Sequence, residues 1–384
     1  MAKPIPYSRQ EISDADIAAV VEVLRGPFLT QGPAVERFET DFATLHRSAH
    51  AVAVCNATAA LHIACLAVGV GPGDLVWTSP ISFVASANCA LYCGADVDFV
   101  DIDPITRNMS VDTLEMRLIQ AEKDGRLPKV VIPVDFSGLP CDLVEIRALA
   151  DRYGFKIISD SSHAVGATYR GEPIGRHAHI SVFSFHPVKI VTTGEGGLCL
   201  TDDDALADRL RLLRSHGISR DPAKMTKPSE GPWYYQQIDL GFNYRITDIQ
   251  AALGSSQLKS LDEKFERRDA AARRYDERLA GLALKLPVRL NDRQSAHHLY
   301  AVEVMDGISR ETVFEALRAA DILANVHYIP IHLQPYYQSK GFAQGDFPAS
   351  EAFYDKAITL PLFPDLTEAE QDYVVSSLAA ALQV

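Results

Sequence analysis

At 384 residues, with 47% hydrophobic and 23% charged side chains, the chain has the composition of a globular protein of about two to three domains, not of a disordered or membrane-embedded one. A formal net charge of −13 excludes a broad electrostatic grip on nucleic acid, although a small anionic substrate would need only a few local cations. Met1 to Ile17 holds one Lys and no apolar signal-peptide core, and the longest apolar stretch, around Ile63 to Val70, is far below the ~18 residues of a membrane span. Neither secretion nor a membrane location is expected.

In chain order, Val52 to Cys55 reads as a strand and Thr58 to Val68 as a helix, then Leu75 to Thr78 as a strand and Phe83 to Tyr92 as a helix. Val97 to Ile102 and Val130 to Val134 are predicted strands, separated by the helical stretch Val111 to Glu122. A helix over Cys141 to Tyr153 leads into the strand Phe155 to Ser159, and strands His179 to Phe185 and Gly197 to Leu200 follow. This alternation predicts an α/β domain with a largely parallel sheet, whose ligands bind at the carboxyl ends of the strands. Asp248 to Leu282 reads as one long helix with a weak point at Gly254, where the domain change is placed: 1–254 as the large domain and 255–384 as a smaller α+β domain. The smaller domain has a strand at Tyr300 to Val304 and helices at Arg310 to Ala320 and Glu368 to Leu382.

The six cysteines, Cys55, Cys65, Cys89, Cys93, Cys141 and Cys199, form no CxxC pair and read as reduced core residues of a cytoplasmic protein. His177 and His179 share a strand face, but no further His or Cys completes a ligand set, so no metal is expected. A dinucleotide site is excluded, because no GxGxxG follows a strand and opens a helix; Gly69, Gly71 and Gly73 lie in a loop broken by Pro72.

Three clusters fall on the ligand-bearing edge. Ser184-Phe185-His186-Pro187-Val188-Lys189 runs off a strand into Thr192-Thr193-Gly194-Glu195-Gly196-Gly197. An isolated Lys there is ordinarily solvated; beside a Gly-rich turn its amine is also placed to condense with the aldehyde of pyridoxal phosphate (PLP) and to shuttle a proton. Ser159-Asp160-Ser161-Ser162-His163-Ala164 ends the preceding strand. Seen alone, Asp160 is an ordinary turn residue; next to Lys189 it is suited to keep the PLP ring nitrogen protonated, with His163 available to the phenolic oxygen. Asn56-Ala57-Thr58-Ala59-Ala60 opens a helix, which is either plain capping by Asn56 or a seat for a phosphate.

Together these motifs resemble the DegT/StrS group of nucleotide-sugar aminotransferases, PLP enzymes of fold type I, over nearly the whole chain from Leu29-Thr30-Gln31-Gly32 to Leu360-Pro361. The resemblance implies Lys189 as the Schiff-base lysine and Asp160 as the ring-nitrogen partner. It implies Thr58, Ala59 and Ser184 as phosphate contacts and Phe83 as the aromatic stacked on the ring. Gly241-Phe242-Asn243-Tyr244-Arg245 resembles a loop given to the neighbouring subunit, with Asn243 on the phosphate and Arg245 towards the nucleotide, hence a homodimer with shared active sites. Thr30, Glu195, Arg245 and His327, Tyr328 and His332 are expected on the substrate side.

Where many members carry Glu-Asp-x-Ala-Gln, this chain has Ser-Asp-Ser-Ser-His-Ala, with His163 in place of Gln. With Val134-Asp135-Phe136-Ser137-Gly138, Pro80-Ile81-Ser82-Phe83 and Arg214-Ser215-His216-Gly217, that departure resembles the branch that aminates C4 of a UDP-4-keto-6-deoxy-N-acetyl-β-L-altrosamine in the pseudaminic acid pathway. Glutamate is the implied donor. Open alternatives are a 4-keto sugar of the bacillosamine or perosamine type, a PLP-type sugar dehydratase (against which Lys189 speaks, since those relatives carry His), and a non-catalytic PLP-binding regulatory protein.

Overall fold

The computed structural model describes residues 4–383; Met1–Lys3, part of the N-terminal reading above, lie outside the described residues. Seven short runs assemble into one sheet: β1 (His50–Val54), β2 (Leu75–Thr78), β3 (Asp96–Phe99), β4 (Val130–Ile132), β5 (Lys156–Asp160), β6 (Ile180–Ser184) and β7 (Gly197–Thr201). Their spatial order is β1-β7-β6-β5-β4-β2-β3. Strands β2 to β6 pair in parallel: helices Ala85–Tyr92, Val111–Lys123 and Leu143–Tyr153 carry the chain back between β2, β3, β4 and β5, and the crossover from β5 to β6 holds the short strands Thr168–Tyr169 and Glu172–Pro173 instead of a helix. β7 instead runs antiparallel to both β6 and β1; a loop, not a helix, joins β6 to β7. The expected α/β class with a mostly parallel sheet is thus observed. Alternation along β1 sends Ala51 and Ala53 into one buried cluster and Val52 and Val54 into the other, the period-2 pattern of a sheet covered on both faces.

Several boundaries move. The second predicted helix starts at Ala85, leaving Phe83 outside it, and β3 stops at Phe99, with Ile102 only bridging Met109. β5 extends to Asp160, which is therefore the strand's last residue and not part of the following turn. All six cysteines are free, and only Cys55 is not fully buried. His179 accepts the Ile157 N–H through Nδ1 at 3.0 Å. Among the described residues no helix is long and apolar enough to cross a membrane.

The single helix read over Asp248 to Leu282 is in fact two, Asp248–Leu258 and Leu261–Arg278. Ser260 makes the break: its hydroxyl donates to the Gln257 carbonyl at 3.1 Å, a local bond that competes with helix continuation. Gly254 is no weak point. A Cβ there would meet the ring of the fully buried Phe38 at 2.6 Å, so this glycine lets helices Pro33–Leu45 and Asp248–Leu258 approach. Gly254→Ala would gain about 1 kcal/mol of helix propensity but overpack the contact at a cost of ~1–3 kcal/mol. A lowered midpoint in chemical denaturation is expected; an unchanged or raised one refutes the packing role.

Beyond the break, strands Leu284–Lys285, Tyr300–Val304 and Ala357–Leu360 form an antiparallel sheet, covered by residues such as Tyr275, Leu317 and Leu378. Ile5 joins that same cluster, and Ile5–Pro6 pairs in parallel with Ile322–Leu323. The N-terminal arm, assigned above to the large domain, therefore packs with the C-terminal one. We propose the domain change at Lys259–Ser260, since a division at residue 254 would cut a continuous helix.

Candidate active site

Strand directions bring the three sequence clusters to one edge. β1, β5 and β6 run the same way, so Asn56, Asp160 and Ser184 sit at their carboxyl ends, where β7 begins. Gly197 pairs with both Ser184 and Val54, and a Cβ on it would lie 2.4 Å from the Asn56 carbonyl carbon. Only glycine allows the loop and the helix start to meet there.

Lys189 lies in the loop that links β6 to β7, its amide donating to the His186 carbonyl at 2.9 Å. The loop is closed by Phe185 N–H to the Gly196 carbonyl and by Thr193 N–H to the Phe185 carbonyl, at 2.9 and 3.0 Å. Ser8 of the N-terminal arm reaches the Val188 carbonyl at 3.2 Å. Lys189 Nζ stands 3.4 Å from His298 Nε2. Burial pushes its amine down to about 8, outweighing the opposing pull of Asp160.

Asp160 is buried, and its Oδ2 accepts the Ser86 hydroxyl at 2.6 Å, itself paired with Ser82 at 2.6 Å. Oδ1 accepts the Ser162 amide at 3.2 Å. Next to it, fully buried Asp135 holds the Asp160–His163 turn through Ser161 at 2.7 Å and also takes the Cys141 amide at 2.8 Å. Burial raises Asp135 to about 6, with Asp160 adding to the rise.

The His163 ring is buried, with Nε2 3.1 Å from the Tyr328 hydroxyl and Nδ1 without a partner among the described residues. Burial, then Lys189 and His327, hold it well below the ordinary histidine range. His327 contacts Thr359 at 2.9 Å and is pushed down to about 3 by burial and Lys189. Tyr7 completes this wall, its ring 5.2 Å from that of His327.

At the other end of the edge, Asn56 caps helix Ala57–Ala67 by accepting the Ala59 amide at 2.8 Å. Ala59 N–H is thus taken by the cap, while Ala57 and Thr58, at the helix start, have no acceptor within the helix. Phe83 exposes 59% of its surface beside this edge's loops. Thr30, Glu195 and Asn243 are exposed and Arg245 half-buried. Arg245 lines a cavity of about 270 Å³ with Gln31, Glu39 and Arg214. Its loop is pinned to β1 by the Val54–Arg245 bridge and by the Cys55 amide on the Tyr244 carbonyl at 2.8 Å.

Lys189, Asp160, His163, His327 and Tyr328 are thus brought together, and His332 is not. Its ring is wholly buried, 2.9 Å from Glu351 and packed on Phe347, so this histidine ties down its own segment. Sequence reasoning missed His298, Ser86 and Asp135. Asp135 stood in a quoted motif, and the His297-His298 pair before a buried strand was the available signal for His298; Ser86 carried none.

Residues 10–379 match the DegT/DnrJ/EryC1/StrS aminotransferase family. The spore coat polysaccharide biosynthesis protein SpsC of Bacillus subtilis strain 168 is 38% identical over 382 residues, 97% of this chain and 96% of SpsC. Among solved structures, Spr1654 of Streptococcus pneumoniae in its PMP form superposes with a TM-score of 0.91 at 32% identity, over 99% of both chains, and the same protein is also known in a PLP form. Helicobacter pylori PseC, an aminotransferase involved in the biosynthesis of pseudoaminic acid, superposes with a TM-score of 0.92 at 30% identity, over 99% of this chain and 100% of PseC.

Proposed function

We propose, from the premise that the chain belongs to the DegT/DnrJ/EryC1/StrS aminotransferase family, that it transfers an amino group from glutamate to C4 of a UDP-linked 4-keto-6-deoxy-N-acetyl-hexosamine. The coarser activity follows from the family: it is a PLP-dependent sugar aminotransferase. One observation carries the assignment of the site, namely the half-buried Lys189, its amine pushed down to about 8 by burial, on the same sheet edge as the buried carboxylate of Asp160.

The residues fit the cofactor. Asp160 receives its hydrogen bonds from a hydroxyl and an amide, so among the described residues no cation touches this buried carboxylate, and a protonated ring nitrogen carries the charge to do so. His163 Nδ1 is a buried polar atom without a partner among the described residues, suited to a polar ring substituent. The helix start at Ala57 and Thr58, with Ser184 opposite, suits a phosphate, and Phe83 offers an exposed ring to stack on. When bound, PLP supplies an electron sink for the carbon from which a proton is removed. The remaining work falls to this chain. Asp160 keeps a positive charge in place, His163 and Tyr328 hold orientation as neutral partners, and Lys189 takes and returns the proton. With its midpoint at about 8, Lys189 is partly neutral at physiological pH and can act as a base. Covalent capture of PLP by cofactor-stripped enzyme should therefore slow about tenfold per pH unit below 8 and level off above it; a flat rate from pH 6 to 9 speaks against a depressed amine.

The altrosamine-type substrate is supported by the motif set around His163 and by the likeness to PseC. Product NMR after incubation with glutamate and a panel of UDP- and GDP-4-keto sugars tests it. A C4 amino product from the altrosamine-type sugar is expected; turnover confined to bacillosamine- or perosamine-type sugars moves the assignment there, and none at all favours a regulatory role.

We further propose a homodimer in which Asn243 and Arg245 serve the neighbouring site. Each site would then draw on two chains, as two-fold symmetry permits. Lys189→Ala and Arg245→Ala, unfolded and refolded together, should regain about a quarter of wild-type activity, since about half the dimers are mixed and each has one intact site of two. Mixed dimers without recovery would refute sharing.

A further inference from the structure

We propose that His298 is a positioning residue for Lys189, holding the lysine amine on the sheet edge without carrying the proton itself. This rests on the role of Lys189 given above. His298 comes from the segment before strand Tyr300–Val304 of the C-terminal domain, and its Nε2 lies 3.4 Å from Lys189 Nζ. The side chain is fixed: it is 2% exposed, its amide donates to the Ser137 carbonyl at 2.9 Å, and its ring centroid lies 4.5 Å from that of His163. The nearby Arg268 guanidinium is engaged with the His297 and Leu362 carbonyls at 3.3 and 3.2 Å.

The groups that face His298 are Lys189, His163, Arg268 and His327, and none is an acid. Burial and these neighbours keep its imidazole neutral. A neutral imidazole has one donor and one acceptor nitrogen, whereas an ammonium only donates. With Lys189 protonated, Nε2 accepts and the ring proton sits on Nδ1. With Lys189 neutral, the amine has a lone pair and either tautomer keeps the bond. His298 can thus grip the amine through both halves of a proton transfer and never compete for the proton. Asp160 is the acid whose charge favours the ammonium.

The test uses the full-length enzyme carrying pyridoxamine phosphate, in which the Lys189 amine is free. Trace acetylation with acetic anhydride at stepped pH, read by mass spectrometry of the Lys189 peptide, gives the amine's midpoint. His298→Phe keeps a ring but removes the acceptor, so the midpoint should fall by about one unit. Its kcat should drop ~10- to 100-fold with the sugar KM little changed. His298→Gln, which restores an acceptor, should recover most of both. An unmoved midpoint in His298→Phe, or a His298→Gln as impaired as His298→Phe, overturns the proposal. Should His298→Phe fail to fold, His298→Asn, too short to reach Nζ, takes its place with the same two outcomes. An enzyme that aminates no sugar would defeat the functional reading alone, because the midpoint shift needs no sugar.

Discussion

Lys189→Ala should abolish amino-sugar formation while leaving the fold intact. The stability side follows from the environment: burial depresses the amine to about 8 and outweighs the attraction of Asp160, so removing the amine relieves a desolvation cost larger than the attraction it loses. Among the described residues its one side-chain partner is His298 at 3.4 Å. A melting temperature within a few degrees of wild type is expected. The activity side is large, because the variant loses both the covalent anchor of the cofactor and the base that moves the proton. A positioned base alone contributes roughly 10²- to 10⁴-fold, so a loss of at least ~10³-fold is expected. Borohydride should fix cofactor to Lys189 in the wild type and to no residue in the variant. Cofactor fixed to another lysine, or turnover within about tenfold of wild type, would show that the central residue is misassigned.

Asp160→Asn is the second large effect, and it separates charge from shape. The amide is nearly isosteric, and the Ser86 hydroxyl, 2.6 Å away, can rotate to donate or accept. One amide oxygen remains for Ser86 or for the Ser162 amide, so at most one weak bond is lost. The variant also removes a negative charge beside Asp135, whose carboxyl is already raised to about 6. A carboxyl raised in the folded state contributes stability below its unfolded value of about 4 and loses it as pH rises through about 6. Easing that rise should leave the variant as stable as wild type at neutral pH, or slightly more so. Transamination, in contrast, loses the charge that keeps the ring nitrogen protonated, and a fall of about 10²- to 10³-fold is expected, the scale of removing one preorganised electrostatic group. Bound cofactor should persist in the visible spectrum. Activity within a few-fold of wild type would take Asp160 out of this role.

What the sequence by itself determined was local. The strand-and-helix alternation from His50 to Thr201 was legible because side-chain period and backbone hydrogen bonding are set within a few residues. The parallel class then placed Lys189, Asp160 and the Asn56 turn on one edge, since ligands collect where parallel strands end. Only the tertiary structure decided which other groups reach that edge. His298 meets Lys189 across 109 residues and Ser86 meets Asp160 across 74, and no periodicity spans such distances. The same limit explains Gly254 and Ser260. A glycine in a helical run has the same local cost whether it breaks the helix or admits a neighbour's ring, and only the position of Phe38 tells which. It also explains the two fates of the histidines read from one short run: His327 faces Lys189, whereas His332 is turned onto Glu351 and Phe347. Burial beside a particular partner, not the residue type, separates the two.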